Sequence, residues 1–363
     1  DCWAFSSVYS LEAIVNLYYN RMLNYNLSEM DAVVCSRPPP VRSGGSTTTS
    51  LAYMKNIGVV NEECFPYRGD TTALCLEKCN DPAEQIKITN YSSLPRDELE
   101  IKKTLIEKGP LVTSIYGQWG HAMSMVGYGV VKAGDLIMDG EAEHTGIEIR
   151  VLIESPDIGK PYYIFKQSWG DNWEDSPFIR VVLDVTNQIT RSLCIHTPLN
   201  SLQLTDTDIA CNDFDGDGYY YWGIGPKPAT CPACAPDEPD GDDSNPNLGP
   251  MDEYGICAVI IPLVEDITTS QTWSTDRTLC NSINIQSGVT LTITNTATIF
   301  SSSYSITIKN GGELILSEGT IDDGSIEVQS GGKLTIVNNG KILLGSYDNL
   351  DIQLGAEFDM DYG

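Results

Sequence analysis

Residues 1–7 read DCWAFSS, with a cysteine directly before a tryptophan at the start of a long apolar pattern. From Trp3 to Arg21 the chain has no glycine or proline, and apolar residues recur at helical spacing: Phe5, Val8, Leu11, Ile14, Val15 and Tyr18. This spacing predicts a buried helix led by Cys2. Because the amino end of a helix dipole favours a thiolate, Cys2 is a candidate nucleophile.

The chain has 363 residues and a net charge of −28, from 50 acidic and 22 basic residues. The length suits two or three domains. A surface this acidic repels phosphates and anionic lipids, so we expect no nucleic-acid partner. No apolar run approaches the roughly 20 residues of a membrane-spanning helix, so we expect no membrane insertion. Eleven cysteines indicate disulfide bonds and a secreted or cell-surface location.

Residues 1–205 combine helical patterns with strand patterns. Further helices are predicted around residues 46–57 and 97–108. Strands rich in β-branched and aromatic residues then follow in the segments GPLVTSIYG, HAMSMVGYGVV, IEIRVLIES, KPYYIFKQSW and FIRVVLDV. Helices followed by strands predict a first domain, residues 1–205, with an α+β fold of two lobes.

A nucleophilic cysteine needs a base, and the chain has three histidines: His121, His144 and His196. His121 opens the strand HAMSMVGYG and is bounded by apolar residues, which favours it as the base. His144 lies in a polar, acidic stretch, and we interpret it and His196 as surface histidines.

Five segments in order resemble the papain-like cysteine peptidases: CWAFSS, LSEMDAVVC, GVVNEECFPYRG, HAMSMVGYG and YYIFKQSWGDNW. The resemblance covers roughly residues 1–185. It implies that Cys2 is the nucleophile, that His121 is the base, and that substrates are proteins or peptides, with no cofactor for catalysis. It also implies that Gly44 and Gly45 lie beside the substrate backbone, and that Trp169 shelters the base from water.

Gln167 stands where this family has the asparagine that orients the base. Gln has the same amide but is one methylene longer, so the ring or the backbone has to shift. The resemblance also implies an oxyanion-hole glutamine before the nucleophile, and we therefore expect further sequence before Asp1. It suggests that Cys35 pairs with Cys75, which leaves Cys64 for Cys79. The residues alone permit three pairings.

Residues 206–257 are rich in Asp, Gly, Pro and Cys, and we interpret them as a small loop module. In DFDGDG, Asp213, Asp215 and Asp217 alternate before a glycine, as in the opening of a calcium loop. Ile224 at the twelfth position excludes an EF-hand, so the other ligands would come from DGDD, chiefly Asp240, Asp242 and Asp243. A structural calcium site is the prediction, and a solvated acidic loop is the alternative.

Four cysteines of this region admit two interpretations, namely two disulfides or a four-thiolate zinc site. They are Cys211, Cys231, Cys234 and Cys257. An exported protein favours the disulfides.

Residues 258–363 form repeats of short strands and glycine turns, such as QSGVTLTI, KNGGELIL, QSGGKLTI and QLGAEFDM. A second series at Ala297, Gly319 and Gly340 recurs at a spacing of roughly 21, a period typical of solenoids. The sequence predicts a parallel β-helix-like solenoid, with an antiparallel sandwich as the competing fold. The repeats reach Gly363, so we expect further sequence there too.

Together these features predict an exported, multidomain cysteine peptidase in which Cys2 and His121 act with Gln167. In that interpretation the solenoid is a spacer, a stalk or an adhesion surface that contacts the cell surface or glycans. One alternative is a pseudo-enzyme that keeps the cleft for binding. Another alternative makes the solenoid the functional part, a carbohydrate-binding or adhesive module, with the peptidase as a processing element.

Overall fold

The computed structural model describes residues 1–37, 44–69, 72–115, 121–139, 149–150, 155–168, 178–201, 208–232, 234–252, 256–260, 264–301, 304–346 and 348–361. The chain divides into two compact units. The first contains Asp1–Ile209 and Gly223–Pro226, and the second contains Ala210–Trp222, Lys227–Asp252 and Ile256–Gly363. The three-domain division at residues 205 and 257 stays a prediction.

The described helices all lie in the first unit. They are α1 (Cys2–Tyr19), α2 (Glu29–Cys35), α3 (Thr47–Asn56), α4 (Glu98–Lys108) and α5 (Val185–Gln188), with a 3₁₀ turn at Cys75–Glu77. The helices α1, α3 and α4 confirm the prediction. Seven and four residues are too few for α2 and α5 to show a helical period. Within the described chain, no helix is both long and apolar enough to cross a bilayer.

One nine-stranded sheet forms the second lobe of the first unit. Its strands are β1 (Val59–Val60), β2 (Gln85–Ser93), β3 (Leu111–Ile115), β4 (His121–Val130), β5 (Leu136–Asp139), β6 (Ile149–Arg150), β7 (Pro161–Lys166), β8 (Phe178–Val182) and β9 (Ile189–Ser201). The order is β1-β2-β9-β3-β4-β7-β8-β5-β6, and neighbours are antiparallel except for β5 and β8. The predicted α+β fold is confirmed.

Two large hydrophobic cores and two smaller clusters lie in the described part of this unit. The first buries α1 and α3 against β2, β3, β4 and β9, with Leu11, Ile14 and Met54 fully buried. The second packs Ile101 and Leu105 of α4 against the same sheet. The sheet is therefore covered by α1 in one core and by α4 in the other, and β3, β4 and β9 contribute to both.

A buried charge network joins α2 to α3 and β1. Asp31 is fully buried and accepts hydrogen bonds from Tyr53 Oη at 2.8 Å and from the backbone N–H of Val60 at 3.1 Å. Lys78 Nζ pairs with the same carboxylate at 3.1 Å. Separating Lys78 from Asp31 would leave a buried carboxylate without a compensating charge, which is costly. The network therefore fixes the position of α2 relative to α3 and β1.

Two disulfides lie in the first unit, Cys35–Cys75 and Cys64–Cys79. They confirm the pairing that the family resemblance suggests. Cys2 and Cys194 are free thiols.

In the second unit, β10 (Leu248–Met251) and β11 (Cys257–Val259) form an antiparallel pair. Three parallel sheets follow. The first contains β12 (Val264–Ile267), β15 (Ser282–Ile285), β18 (Ser305–Ile308), β21 (Ser325–Val328) and β24 (Leu350–Ile352). The second contains β13 (Gln271–Trp273), β16 (Thr290–Ile293), β19 (Glu313–Ser317), β22 (Lys333–Val337) and β25 (Glu357–Met360). The third contains β14 (Arg277–Thr278), β17 (Thr298–Phe300), β20 (Thr320–Asp322) and β23 (Lys341–Leu343).

Four coils give one strand to each sheet, and β24 and β25 extend the first two sheets, so the fold is a parallel β-solenoid and not an antiparallel sandwich. Identical positions stack through the coils, as Ile283, Ile306 and Ile326 do. The turns stack too, because the N–H of Gly311 donates to the carbonyl of Gly331 at 2.7 Å. Gly311 has φ +77° and Gly331 has φ +80°, a conformation that favours glycine.

The second unit corrects one cysteine prediction. Its disulfides are Cys211–Cys231 and Cys234–Cys280, and Cys257 is a free thiol. A zinc site of four thiolates is excluded, because three of the four proposed ligands are disulfide-bonded. The sequence could not show that Cys234 has its partner 46 residues away, at a Cα–Cα distance of 6.1 Å.

Candidate active site

Cys2 is the first residue of α1, and several contacts fix its position. The carbonyl of Asp1 accepts a hydrogen bond from Ala4 N at 2.8 Å, and the Asp1 carboxylate accepts one from Tyr67 Oη at 3.0 Å. Cys2 is half-buried and packs against the core that contains Trp3 and Ala4. Its sulfur is a free thiol on a rigid helix start.

The glycine pair predicted to bind substrate lies beside the neighbour of Cys2. A Cβ on Gly45 would stand 2.1 Å from Cε2 of the Trp3 indole, so only glycine fits there. Gly44 has φ +68°, and its carbonyl accepts a hydrogen bond from Arg37. The Arg37 guanidinium lies 4.8 Å from the centroid of the Trp3 ring. The Trp3 indole thus connects the Gly44–Gly45 segment to the start of α1.

His121 begins β4 opposite Ile115 of β3 and is half-buried. The next residue, Ala122, is buried in the same core as Trp3. Three residues after His121, the buried Ser124 hydroxyl donates to the carbonyl of Ser6 at 2.8 Å. The starts of α1 and β4 are therefore held against each other.

Gln167 directly follows β7 and is half-buried. The preceding residue, Lys166, pairs with Ser124 across the β4–β7 ladder. Its ammonium also lies 5.5 Å from the centroid of the Tyr9 ring on α1. The end of β7 thus lies against both elements that carry the predicted nucleophile and base.

A cleft of about 260 Å³ opens where these three elements meet. It is lined by Phe5, Ser6, Tyr9, Glu12, Glu29, Ala122, Ser124, Lys166, Gln167 and Ser168. Gln167 is in this lining, whereas Cys2 and His121 precede lining residues on their own elements. Trp169 and His144 lie outside the described residues. His196 is in β9, where its Nε2 lies 2.9 Å from Ser92 Oγ.

Sequence patterns did not identify two acidic side chains that line this cleft, Glu12 and Glu29. Burial, with neighbouring carboxylates, raises the pKa of Glu12 to about 7. Burial likewise raises the pKa of Glu29 to about 7. Glu12 Oε1 accepts a hydrogen bond from Leu27 N at 2.7 Å. The available signal was an acidic residue between Leu11 and Ile14 in the apolar pattern of α1.

The predicted metal ligands lie in the second unit. Asp213, Asp215 and Asp243 have carboxylate oxygens within 4.8 Å of one another, and so do Asp215, Asp217 and Asp240. Asp242 belongs to neither group, and its carboxylate accepts a hydrogen bond from Ser244 Oγ at 2.6 Å. The structure therefore brings Asp240 to the cluster and leaves Asp242 at its side.

The family model described as papain family cysteine protease matches residues 1–197. Falcipain-2b of Plasmodium falciparum is 29% identical over 205 residues, which cover 51% of this chain and 38% of the relative. Chymopapain of Carica papaya is 28% identical over 203 residues, covering 50% of this chain and 48% of the relative. The matched part of this chain thus spans less than half the length of these relatives.

Among solved structures, the cysteine protease and lectin-like domains of Cwp84, a surface layer associated protein of Clostridium difficile, are similar to 59% of this chain. The match covers 49% of that structure, with 18% sequence identity and a TM-score of 0.42.

Replacing Glu12 by Gln tests the effect of the buried carboxyl on stability. The folded protein holds the Glu12 proton up to about pH 7, whereas the ordinary value is 4.5. The free energy of unfolding therefore falls as the pH rises through this window. Gln keeps the acceptor for Leu27 N but does not ionise. We expect Glu12→Gln to match the wild type near pH 4.5 and to be about 1–2 kcal/mol more stable at pH 8.

Urea unfolding at pH 4.5, 6 and 8 measures this difference, with the exposed Glu100→Gln as the control for a carboxylate-to-amide change. A difference that does not grow with pH would contradict the burial of an acid at this position.

Proposed function

This chain belongs to the papain family of cysteine proteases, whose model covers more than half of its length, and on that premise we propose that it hydrolyses peptide bonds with Cys2 as nucleophile. The observation that carries the proposal is the hydrogen bond from the Ser124 hydroxyl of β4 to the Ser6 carbonyl of α1. This contact supports a site in which the Cys2 sulfur and the His121 imidazole lie close enough to exchange a proton.

In the proposed reaction, His121 takes the proton of the Cys2 thiol, and the thiolate attacks the carbonyl carbon of the peptide bond. When the C–N bond breaks, His121 donates this proton to the amine that leaves, and a thioester remains on Cys2. His121 then removes a proton from water, the resulting hydroxide attacks the thioester, and the carboxylic acid leaves. The returned proton restores the thiol.

The backbone supplies the groups that bind the substrate. The N–H of Cys2 is at the start of a helix, where amide groups have no intrahelical acceptor, and it can donate to the oxyanion. The Gly44–Gly45 segment lies beside Trp3, and its backbone can run alongside an extended peptide. We propose that unfolded segments of proteins, which present an extended backbone, are the substrates.

A turnover assay tests the activity with a fluorescently labelled, unfolded protein as substrate. We expect Cys2→Ala to abolish turnover and His121→Ala to lower kcat about 10²–10⁴-fold, because proton transfer then has no positioned base. His196→Gln keeps a polar side chain beside Ser92 and serves as the matched histidine control. Loss of turnover in His196→Gln with retention in His121→Ala would contradict the assignment.

Covalent labelling identifies the nucleophile in the same samples. Burial raises the pKa of the Cys194 thiol to about 11 and also raises the pKa of Cys257. These two thiols are internal controls that stay unmodified by a thiol-directed epoxide at neutral pH. One label per chain on Cys2 supports the enzyme. Absence of both label and turnover favours the alternative, a papain-like pseudo-enzyme that binds peptides in the cleft.

Gln167 is proposed to position His121 through its amide oxygen. The extra methylene of Gln places that oxygen further from the backbone than Asn would, so orientation is the property at stake. We expect Gln167→Ala to lower kcat about 10-fold or more with little change in KM, and Gln167→Asn to restore at least the wild-type kcat. The pH range over which kcat/KM is near its maximum should become narrower in Gln167→Ala and should stay unchanged in Gln167→Asn. Equal losses in both variants, with a raised KM, would indicate a merely structural side chain.

We propose that the protein is exported, since four disulfides are stable in an oxidising compartment. The solenoid would then act as a spacer or as a surface that contacts cell-surface glycans. Its outward positions carry polar residues such as Thr290, Thr292 and Thr335. Uniform silence of the protein on a glycan array would count against the glycan contact.

A further inference from the structure

Five carboxylates of the second unit converge from two loops. Asp213, Asp215 and Asp217 come from one loop, and Asp240 and Asp243 come from the other. They form two triads that share Asp215, and the ligand oxygens within each triad lie within 4.8 Å of one another. Two oxygens on one calcium ion, each at 2.3–2.6 Å, are at most about 5 Å apart. Each triad therefore has the dimensions of half a calcium coordination sphere.

The second triad also contains buried oxygens without a hydrogen-bond donor. Asp217 is 2% exposed and Asp240 is 3% exposed. The Oδ1 atom of Asp217 accepts from Tyr219 N at 2.7 Å, and that of Asp240 accepts from Asp242 N at 3.2 Å. In the described part of the chain, Oδ2 of Asp215, Asp217 and Asp240 has no donor. Within this cluster of five aspartates, the three that have an unsatisfied buried oxygen are the three members of one triad.

Four of these carboxylates have no basic partner in the part of the chain that the structure describes. Among the described residues, no ion pair joins a lysine or arginine to Asp215, Asp217, Asp240 or Asp243. Buried anions at this density need cations, because transfer of an unpaired carboxylate from water is costly.

We propose that this cluster is a two-ion calcium site, in which Asp213, Asp215 and Asp243 hold one ion and Asp215, Asp217 and Asp240 hold the other. Two calcium ions bring four positive charges to five carboxylates, whereas a single ion leaves an excess of three negative charges. The donors are all oxygen, which favours a hard cation over zinc. Backbone carbonyls and water complete each sphere.

The site is joined to the solenoid within the same unit. The Tyr304 hydroxyl is fully buried, donates to Asp213 Oδ2, and lies 3.3 Å from Tyr220 Oη. Tyr304 also belongs to the solenoid core beside Ile306. Ion binding therefore stabilises the coil that begins at Tyr304 as well as the loops. This role is independent of the proposed peptidase activity.

Equilibrium dialysis of the whole oxidised protein against CaCl₂ at constant ionic strength measures the stoichiometry directly. We expect two ions per chain, and a rise of about 5–10 °C in the unfolding temperature of the second unit at 1 mM calcium relative to EDTA. Magnesium at the same concentration should give a much smaller rise, because it demands a tighter octahedral shell. Zero or one ion per chain would overturn the proposal.

Single carboxylate-to-amide variants show which aspartates bind each of the two ions. Asp217→Asn should reduce the stoichiometry to one, and Asp215→Asn should abolish binding of both ions. Asp242→Asn is the matched control from the same loop and should keep both. Far-UV circular dichroism and mapping of the Cys211–Cys231 disulfide verify folding of each variant. Loss of an ion in Asp242→Asn but not in Asp217→Asn would refute the ligand assignment.

Terbium luminescence gives a second readout that needs no variant to be stable. Tb³⁺ occupies calcium sites, and excitation of tyrosine transfers energy to it over short distances. With Tyr220 and Tyr304 beside Asp213, we expect sensitised emission from the wild type that calcium displaces. Absence of emission, or emission that calcium does not displace, would contradict a site at this position.

Discussion

The Ser124 hydroxyl makes the contacts on which the candidate active site of the first unit depends. It is fully buried, donates to the Ser6 carbonyl at 2.8 Å and lies 2.8 Å from Ser10 Oγ. A buried hydroxyl without partners is costly, and a slip of β4 by one residue would turn every side chain of the strand to the other face. These contacts fix the position of β4 along α1. They thereby also fix the positions of His121 and Cys2.

In the second unit, the relative positions of the strands are fixed by different interactions. Its coils stack identical positions in parallel sheets, so a repeated apolar residue meets its own kind from coil to coil. The loops beside the coils contain few apolar residues and rely on two disulfides and on carboxylates instead. Both units contain two disulfides, but stacking of repeated positions is a feature of the second unit.

Local patterns in the sequence were enough to predict α1, α3, α4 and the solenoid, because each has a period that a short segment reveals. The resemblance in five segments supplied Cys2, His121 and Gln167. Features that depend on distant pairs could not be predicted. The bond of Cys234 to Cys280 spans 46 residues, and the position of Asp242 outside both carboxylate groups depends on how a loop turns. The buried network at Asp31 also joins residues that are distant in the sequence, Tyr53 and Lys78.

The central claim is that the Cys2 sulfur and the His121 imidazole act as one pair. The most direct test is the rate constant for alkylation of Cys2 by iodoacetamide at pH 5.5, in the wild type and in His121→Ala. An isolated thiol is ionised to only about one part in a thousand at this pH. The account predicts alkylation at least about 100-fold faster in the wild type than in the variant. Equal rates in the two proteins would contradict it.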